Sequence, residues 1–292
     1  MGNIQVDREL CTQCGLCVQD CVRGLFSQGA DGQIVVTDEG WCSLCGHCVA
    51  VCPSEAISHA ALGEAGFERI TEEMQIDPSR LRAFVRTRRS VRAYRDEPVP
   101  RPLIEELIEV ARFAPTAANR QNVAFTVVDG RATLRRLSDL TADFYENLAD
   151  RLSEPSFVEG LVASMGADVV KLAIDNIPYY RRFAGRYRQG EDVFLWNAPA
   201  LIVASAPTLD NFGRDNCLLA ACHLMLAAKA RNMGTCLLGL FLRALQQDAA
   251  IAEVIGLPAD HTAHVACVVG YPRYGYRRLV PRSGTPIRWV GD

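Results

Sequence analysis

Residues 11–21 read CTQCGLCVQDC, and residues 42–52 read CSLCGHCVAVC. Each run has the spacing C-x2-C-x2-C-x3-C, and twenty residues separate the two runs. Three thiolates at a spacing of three can surround one face of a metal cluster within a short loop. The other four cysteines of the chain are scattered among apolar neighbours: Cys217, Cys222, Cys236 and Cys267. We expect these four to be small core residues, and none has a neighbour that suggests a catalytic thiol.

The spacing resembles that of bacterial two-cluster ferredoxins, in which the fourth cysteine of each run ligates the cluster of the other run. One 4Fe–4S cluster is then expected on Cys11, Cys14, Cys17 and Cys52, and the second on Cys21, Cys42, Cys45 and Cys48. The stretch CPSEAI at 52–57 resembles the end of the same motif, whereas Val22 stands where the first run usually has proline. His47 is expected at the surface or beside the cluster as a donor. Residues 33–36 are predicted to form a short strand after a turn at Asp31-Gly32.

Disulfides and zinc fit these cysteines less well. Zinc ribbons use paired C-x2-C knuckles and do not need a third and fourth cysteine in each run. The first six residues lack a basic region followed by an apolar core, so no secretory signal is predicted and disulfides are not expected. The longest apolar run, 217–230, is too short to span a bilayer. We therefore expect a cytoplasmic protein without a membrane segment.

Charge is distributed unevenly along the 292 residues, a length that suits about two domains. Hydrophobic residues make up 49% and charged residues 22%, which is typical of a globular protein and excludes wholesale disorder. Residues 1–76 contain eleven acidic and three basic side chains, a net charge of −8, whereas residues 77–292 carry +5. The predicted domains are therefore 1–76, a two-cluster domain with its linker, and 77–292.

Seven arginines and no acidic residue occupy positions 80–95, after a helix predicted to begin at Pro78 with Asp77 as its N-cap. Such a run can be a solvated face or an anion site, since arginine grips phosphate oxygens in pairs. Nucleic acid is not expected as a partner, because the net charge is only −3 and no nucleic-acid motif accompanies the run.

A polar loop follows a second predicted helix, 101–114, and precedes a predicted strand, 123–128. The loop contains two carboxamides, Asn119 and Gln121. An amide offers a donor and an acceptor together, which suits recognition of a planar heterocycle. Asparagine is also a common turn residue, and that alternative stays open for Asn119.

Five segments in order resemble the motifs of the FMN-dependent nitroreductase family. They are RRSVR at 88–92, APTAANRQ at 114–121, NAPALIV at 197–203, NMGTCLLG at 232–239 and VVGYP at 268–272. Asn122 stands where that family commonly has a proline. With the N-terminal runs, the chain resembles a ferredoxin–nitroreductase fusion. The resemblance implies an α+β fold: a ferredoxin-like two-cluster domain followed by a nitroreductase-type FMN domain.

The resemblance also implies an intertwined homodimer with FMN at its interface. The residues that would bind FMN are Arg88, Arg89, Ser90 and Arg92 on its phosphate and pyrimidine side, Asn119 and Gln121 on the ring or ribityl chain, Leu238 and Gly239 near flavin N5, and Arg278 on the phosphate, with Arg282 as its alternative. The helix predicted at 215–231 is apolar nearly all round, so it is expected to be buried. The resemblance implies that it packs in the dimer core, with His223 structural. The aromatic and arginine-rich segment 140–195 fits either a substrate lid or ordinary dimer packing.

Three functional hypotheses follow. The first is an FMN-dependent oxidoreductase whose two clusters relay electrons from an external donor, ferredoxin-like or NAD(P)H, to FMN. FMN would then reduce a small-molecule acceptor: a nitro compound, a quinone or another conjugated molecule. The second is an NAD(P)H-driven nitroreductase whose clusters are an outlet or a sensor. The third is a non-enzymatic electron carrier or redox-sensing subunit.

Overall fold

The computed structural model describes residues 4–63 and 67–291. The other residues are 1–3, 64–66 and 292, so the first residues of the predicted first domain, part of its linker and the last residue of the second domain lie outside the described residues. The chain divides into two compact units. The first consists of Met1–Asp77 with the short segment Ala117–Arg120, and the second of Pro78–Thr116 and Gln121–Asp292.

Two small antiparallel sheets and two short helices form the first unit. Strand β1 (Ile4–Val6) pairs with β4 (Ile57–His59), and β2 (Phe26–Gln28) pairs with β3 (Ile34–Val36). Helices α1 (Leu16–Asp20) and α2 (His47–Ala50) each begin within a cysteine run. The apolar core is small and includes the thiols of Cys17 and Cys48. The predicted strand at 33–36 is confirmed as β3.

A four-stranded antiparallel sheet organises the second unit, in the order β5-β6-β8-β7. These strands are β5 (Ala124–Val128), β6 (Ala200–Pro207), β7 (Gly234–Leu237) and β8 (His261–Gly270). The two central strands are apolar and almost fully buried, because helices cover both faces of the sheet. An antiparallel sheet with helices packed on its faces confirms the expected α+β class.

The helices of the second unit divide between the two faces of the sheet. They are α3 (Pro78–Thr87), α4 (Arg101–Ala111), α5 (Arg131–Arg151), α6 (Pro155–Met165), α7 (Ala167–Asp175), α8 (Ile177–Arg188), α9 (Gly213–Ala230), α10 (Gly239–Gln247) and α11 (Ala249–Ile255). Side chains alternate along β6: Leu201 and Val203 pack with α5, α10 and α11, whereas Ala200 and Ile202 pack with α4 and α9. In the described part of the chain, no helix has the length and apolar character that crossing a membrane requires.

Within one chain, helix α9 is buried on one side only, so the expectation that it packs in a dimer core stays a prediction. One stripe, with Ala220, Leu224 and Ala228, packs against the sheet, but Leu218 and Leu219 are 37% and 42% exposed. A helix that lies on one face of a sheet buries only the side that touches it, so its outer apolar stripe stays exposed within one chain.

Candidate functional site

Four cysteines from both runs line a small cavity in the first unit. They are Cys11, Cys14, Cys17 and Cys52. Its remaining wall is mostly apolar, with Val6, Leu16, Ile34 and Ile57 among the lining residues. The structure thus brings together the four cysteines that the sequence assigns to one cluster.

The other four cysteines line a second small cavity. They are Cys21, Cys42, Cys45 and Cys48. This wall also contains Arg23, His47 and His59, so it is more basic than the wall of the first cavity. Within residues 4–63 and 67–291, no three His, Cys, Asp or Glu side chains converge as they would on a single metal ion. The thiols instead lie around the walls of the two cavities.

Backbone geometry explains how such short loops surround a cavity. Gly15 and Gly46 have φ of 73° and 74°, a left-handed conformation that turns the chain into α1 and α2 directly after Cys14 and Cys45. Backbone N–H groups point at the sulfur atoms: Leu44 donates to Cys42 Sγ at 3.4 Å, and Ala56 donates to Cys52 Sγ at 3.3 Å. Donors so placed stabilise thiolates over thiols.

Burial favours the protonated thiol over the thiolate at two of the eight cysteines, Cys17 and Cys48. It raises the pKa of Cys17, and it raises the pKa of Cys48 to about 11, with the neighbouring thiols of Cys45 and Cys42 adding to the shift. Crowded, buried thiols lose their protons readily only when a positively charged metal centre takes the place of those protons on sulfur. The chemistry of both donor sets therefore fits an iron–sulfur cluster.

The sequence analysis missed His59, which lies at the end of β4 beside the second cavity. Its side chain is 2% exposed, and its Nε2 lies 3.4 Å from Cys42 Sγ. The position of His59 beside the second cavity depends on the pairing of β4 with β1, and no sequence motif predicts it. The His47 side chain, by contrast, is 60% exposed, and its Nδ1 lies 3.3 Å from Asp20 Oδ2, which confirms a surface position.

A basic cleft lies in the second unit, between the segment after α3 and the chain that follows β8. Eight basic side chains and, among the described residues, no acidic one line it: Arg86, Arg88, Arg89, Arg95, Lys229, Arg273, Arg277 and Arg278. Three of the predicted FMN contacts, Arg88, Arg89 and Arg278, are therefore brought together. Such a concentration of guanidinium groups can hold a phosphate.

Segment 88–92 is fixed to the edge of the sheet under this cleft. Ser90 bridges to Thr235 of β7, and the N–H of Val91 donates to the Thr235 carbonyl at 2.9 Å. The hydroxyl of Tyr276 donates to the Ser90 carbonyl at 3.2 Å, while Arg89 stacks 5.9 Å from the Tyr276 ring. The arginines of the RRSVR motif are thus held by a strand on one side and a tyrosine on the other.

Ser90 and Arg92 are not among the residues that line the cleft. Both interact with the buried thiol of Cys236, whose pKa is raised by burial and lowered in part by Arg92 and Ser90. Arg92 also lies 5.6 Å above the Trp196 ring. The motif therefore splits, with Arg88 and Arg89 facing the cleft and Ser90 and Arg92 beside Cys236.

Asn119 has a different environment from the flavin contact that the resemblance implied. Its segment 117–120 belongs to the first unit, and its amide donates to the carbonyl oxygens of Ser43 at 3.1 Å and Leu44 at 2.8 Å. Gln121 belongs to the second unit and is exposed, and its backbone N–H donates to Thr116 Oγ1 at 3.0 Å. Asn119 therefore acts inside the first unit, next to the loop between Cys42 and Cys45.

The remaining predicted site residues lie apart from the cleft lining. Leu238 is buried and its N–H donates to the Ala266 carbonyl at 2.9 Å, and Gly239 begins α10 with open space at its Cα. Arg282 is exposed.

Of the four late cysteines, three are buried as expected, whereas Cys222 on α9 is exposed, which corrects that expectation. His223 bonds the Leu219 carbonyl of its own helix at 2.9 Å, a structural contact.

Segment 140–195 forms helical packing around an aromatic cluster. Tyr145 is buried and stacks with Phe194 at 5.9 Å, and Tyr180 contacts it at 5.0 Å. A second cavity of the second unit, largely apolar, lies among α5 to α8 and α10, with Arg151 and Arg243 in its wall. The buried rings favour the packing role for the centre of this segment.

Two family models match the chain. The nitroreductase family matches residues 85–271, and a 4Fe–4S dicluster domain matches residues 10–57. The chain is similar to a 4-nitrobenzoate reductase from Nocardioides sp., with 27% identity over 65% of this chain and 79% of that one. It is also similar to an NADH dehydrogenase from Thermus thermophilus, with 28% identity over 63% of this chain and 83% of that one.

Solved nitroreductases share the fold of the second unit. A nitroreductase with bound FMN from Bacteroides fragilis has a TM-score of 0.54 at 17% identity and covers 72% of this chain and 98% of its own. A nitroreductase with bound FMN from Desulfitobacterium hafniense has a TM-score of 0.53 at 15% identity, covering 73% of this chain and 100% of its own. The family match over most of the second unit, the shared fold and the two-cavity cysteine domain lead to one conclusion: the chain belongs to the nitroreductase family and carries a 4Fe–4S dicluster domain ahead of its nitroreductase domain.

Proposed function

We propose that this chain is an FMN-dependent oxidoreductase in which two 4Fe–4S clusters pass electrons to FMN for reduction of a conjugated organic acceptor, such as a nitro compound or a quinone. The observation that carries the proposal is the fusion itself. Eight cysteines around two cavities share one chain with a basic cleft on a nitroreductase fold. Clusters exchange single electrons, whereas FMN supplies both one- and two-electron chemistry when bound, so the pair suits conversion between the two.

The cysteines around each cavity are assigned as its cluster ligands. Cys11, Cys14, Cys17 and Cys52 would hold the first cluster, and Cys21, Cys42, Cys45 and Cys48 the second. Each set takes its fourth thiol from the other run, so both runs must fold together before either cluster is complete. The backbone N–H groups of Leu44 and Ala56 then donate to ligand sulfur, one at each cluster.

The basic cleft is assigned to the phosphate of FMN. Arg88 and Arg89 approach from the segment after α3, and Arg278 approaches from the C-terminal segment. Ser90 and Arg92 are assigned to the pyrimidine side through the 88–92 motif, and Leu238 and Gly239 to the flavin ring. Gly239 has no Cβ and the space beside its Cα is open, so the flavin ring could come close to its backbone. Gln121 is retained as a ring or ribityl contact, whereas the hydrogen bonds of Asn119 support a role beside the second cluster.

A homodimer is part of the proposal. Helix α9 presents Leu218 and Leu219 outward, and an apolar stripe of this kind is typical of a surface that a second copy covers. The family resemblance implies FMN at such an interface, so dimerisation and FMN binding are expected to depend on each other.

The electron donor distinguishes two versions of this function. Net charge of −8 on residues 1–76 favours docking to a basic protein donor. The similarity to relatives named nitroreductase and NADH dehydrogenase favours NAD(P)H acting directly at FMN, with the clusters as an outlet or sensor. Both versions keep the same ligands and the same cleft.

An anaerobic titration of the purified protein separates them. NADH and NADPH are added in turn, then a chemically reduced ferredoxin, while flavin absorbance is followed. Bleaching by reduced ferredoxin alone supports the clusters as the entrance, and rapid bleaching by a nicotinamide supports the second version. Protein that purifies with intact clusters but cannot take up FMN contradicts both and favours an electron carrier.

A further inference from the structure

Among the described residues of the first unit, His59 is a buried polar side chain with a single hydrogen-bond partner. Its exposure is 2%, and its Nε2 lies 3.4 Å from Cys42 Sγ. Within the described residues, Nδ1 has no hydrogen-bond partner. A thiolate only accepts hydrogen bonds, so when Cys42 is a cluster ligand Nε2 of His59 carries a proton and donates it to the sulfur.

The corresponding position beside the first cavity is aliphatic. Along β4, residues 57 and 59 point to the same side, and each pairs with a residue of β1: Ile57 with Val6, and His59 with Ile4. Ile57 and Val6 line the first cavity, whereas His59 and Ile4 line the second. One strand pair therefore contacts both cavities at equivalent positions, with a hydrogen-bond donor at only the second.

Other donors do not cancel this difference. Backbone groups donate to ligand sulfur at both cavities. At the first, Ala56 donates to Cys52, and Val18 and Cys17 donate at the Cys17 thiol. At the second, Leu44 donates to Cys42, and Val49 donates at the Cys48 thiol. The side-chain donor His59 is therefore what distinguishes the second cavity. The hydroxyl of Ser54 lies 3.8 Å from Cys52 Sγ, a longer contact than that of His59. Arg23 adds a positive charge to the wall of the second cavity, and the described wall of the first contains no basic side chain.

We propose that His59 raises the reduction potential of the cluster on Cys21, Cys42, Cys45 and Cys48 above that of the other cluster. Reduction adds a negative charge to a cluster, and hydrogen bonds to its sulfur atoms and nearby positive charge stabilise that charge. An electron that enters the two-cluster domain therefore resides mainly on the second cluster at equilibrium. His59 is a positioning residue for Cys42. The inference rests on the proposed function only in requiring that both clusters are bound.

The test is a redox titration of the complete protein followed by EPR, without any turnover. In His59→Leu, the ratio of reduced to oxidised second cluster at a fixed potential is expected to fall about tenfold, which corresponds to about 59 mV for a one-electron couple. His59→Gln, whose amide nitrogen can replace the Nε2 donor, is expected to recover most of that loss. Ile57→Leu, the matched packing control beside the first cavity, is expected to leave both ratios within about threefold. Equal shifts of both clusters, no shift, or a Gln variant that behaves like the Leu variant would overturn the inference.

A second measurement avoids substitution of His59 in case the Leu variant loses the cluster. Protein with His47→Gln is labelled with ¹⁵N-histidine and examined by pulsed EPR as the clusters are reduced stepwise. The expected result is ¹⁵N coupling on the signal that appears at the higher potential. Coupling confined to the lower-potential signal, or none, overturns the inference. Failure of the protein to bind FMN or to reduce an acceptor would contradict the proposed function but leaves both readouts intact.

Discussion

The eight N-terminal cysteines are divided between the two cavities across their runs, and this division can be tested one residue at a time. Cys52 lines the cavity of Cys11, Cys14 and Cys17, so Cys52→Ala is expected to lose the EPR signal of that cluster. Iron content should fall from about eight atoms per chain towards four. Cys21→Ala should lose the other signal, the one sensitive to His59. Cys222→Ala is the matched control, because Cys222 is exposed on α9, away from both cavities, and this variant should keep both cluster signals.

An opposite pattern would contradict the assignment. If each variant loses the cluster of its own run, then Cys52→Ala removes the signal that His59 controls. The fourth ligands would then not be exchanged between the runs.

The basic cleft gives a second prediction at the residue scale. Arg88→Gln and Arg278→Gln each remove one guanidinium from the proposed phosphate site, and a charged hydrogen bond contributes about 1.5–3 kcal/mol. FMN affinity is therefore expected to fall roughly 10- to 100-fold. Riboflavin, which lacks the phosphate, should bind each variant as it binds the native protein, as measured by fluorescence titration of the apoprotein.

Arg112→Gln is the control for this experiment. Arg112 directly follows the last residue of α4 and is exposed. Its guanidinium pairs with the Glu109 carboxylate at 2.5 Å, and it is not among the residues that line the cleft. Equal loss of FMN and riboflavin in the Arg88 and Arg278 variants would place these arginines elsewhere than at the phosphate.

The grouping of the eight N-terminal cysteines around two cavities could be predicted from the sequence. Each run places three thiols at a spacing of three in one short loop, and the resemblance to two-cluster ferredoxins supplied the exchange of the fourth. His59 could not be predicted, because only the pairing of β4 with β1 directs it at Cys42. Asn119 was placed by resemblance, whereas its two hydrogen bonds depend on carbonyl groups more than seventy residues away. No local pattern carries that information.

At the scale of elements, the close approach of segment 88–92 to β7 depends on a glycine. A Cβ at Gly234 would lie 2.6 Å from Val91 Cγ2, so Gly234→Ala must push β7 away from the segment that carries Arg88 and Arg89. Overpacking of this kind costs about 1–3 kcal/mol of unfolding free energy. Urea unfolding should show this loss, and Gly284→Ala, where a Cβ would meet open space, should not.

Val91→Gly combined with Gly234→Ala checks the physical cause. It removes all three side-chain atoms of Val91 that the new Cβ would meet, Cβ at 2.7 Å included, so the double variant should be more stable than the sum of the single losses predicts by about 1 kcal/mol. Simple additivity would show that the glycine is needed for another reason.

Element positions followed from sequence more closely than element environments. Helix α4 begins at the predicted Arg101 and ends at Ala111, three residues early, because the chain then turns towards the loop at 117–120. Strand β5 matches its prediction within one residue. The apolar composition of α9 did not reveal which side faces the sheet, since a uniformly apolar helix carries no moment that orients it.

At the scale of the whole molecule, the outward stripe of α9 predicts the assembly state. Leu218 and Leu219 are adjacent and 37% and 42% exposed, so covering the exposed part of each contributes roughly 1 kcal/mol. Leu218→Glu with Leu219→Glu places two charges in that surface, so sedimentation should show monomers where the native protein forms dimers. FMN content should fall in parallel if FMN lies at the interface, whereas the iron content of the two-cluster domain should stay unchanged. Leu209→Glu is the matched control, because Leu209 is 94% exposed in the loop before α9 and should keep both the dimer and the flavin. A double variant that remains dimeric with full FMN would place the interface on another surface, and a monomer that keeps its FMN would separate flavin binding from assembly.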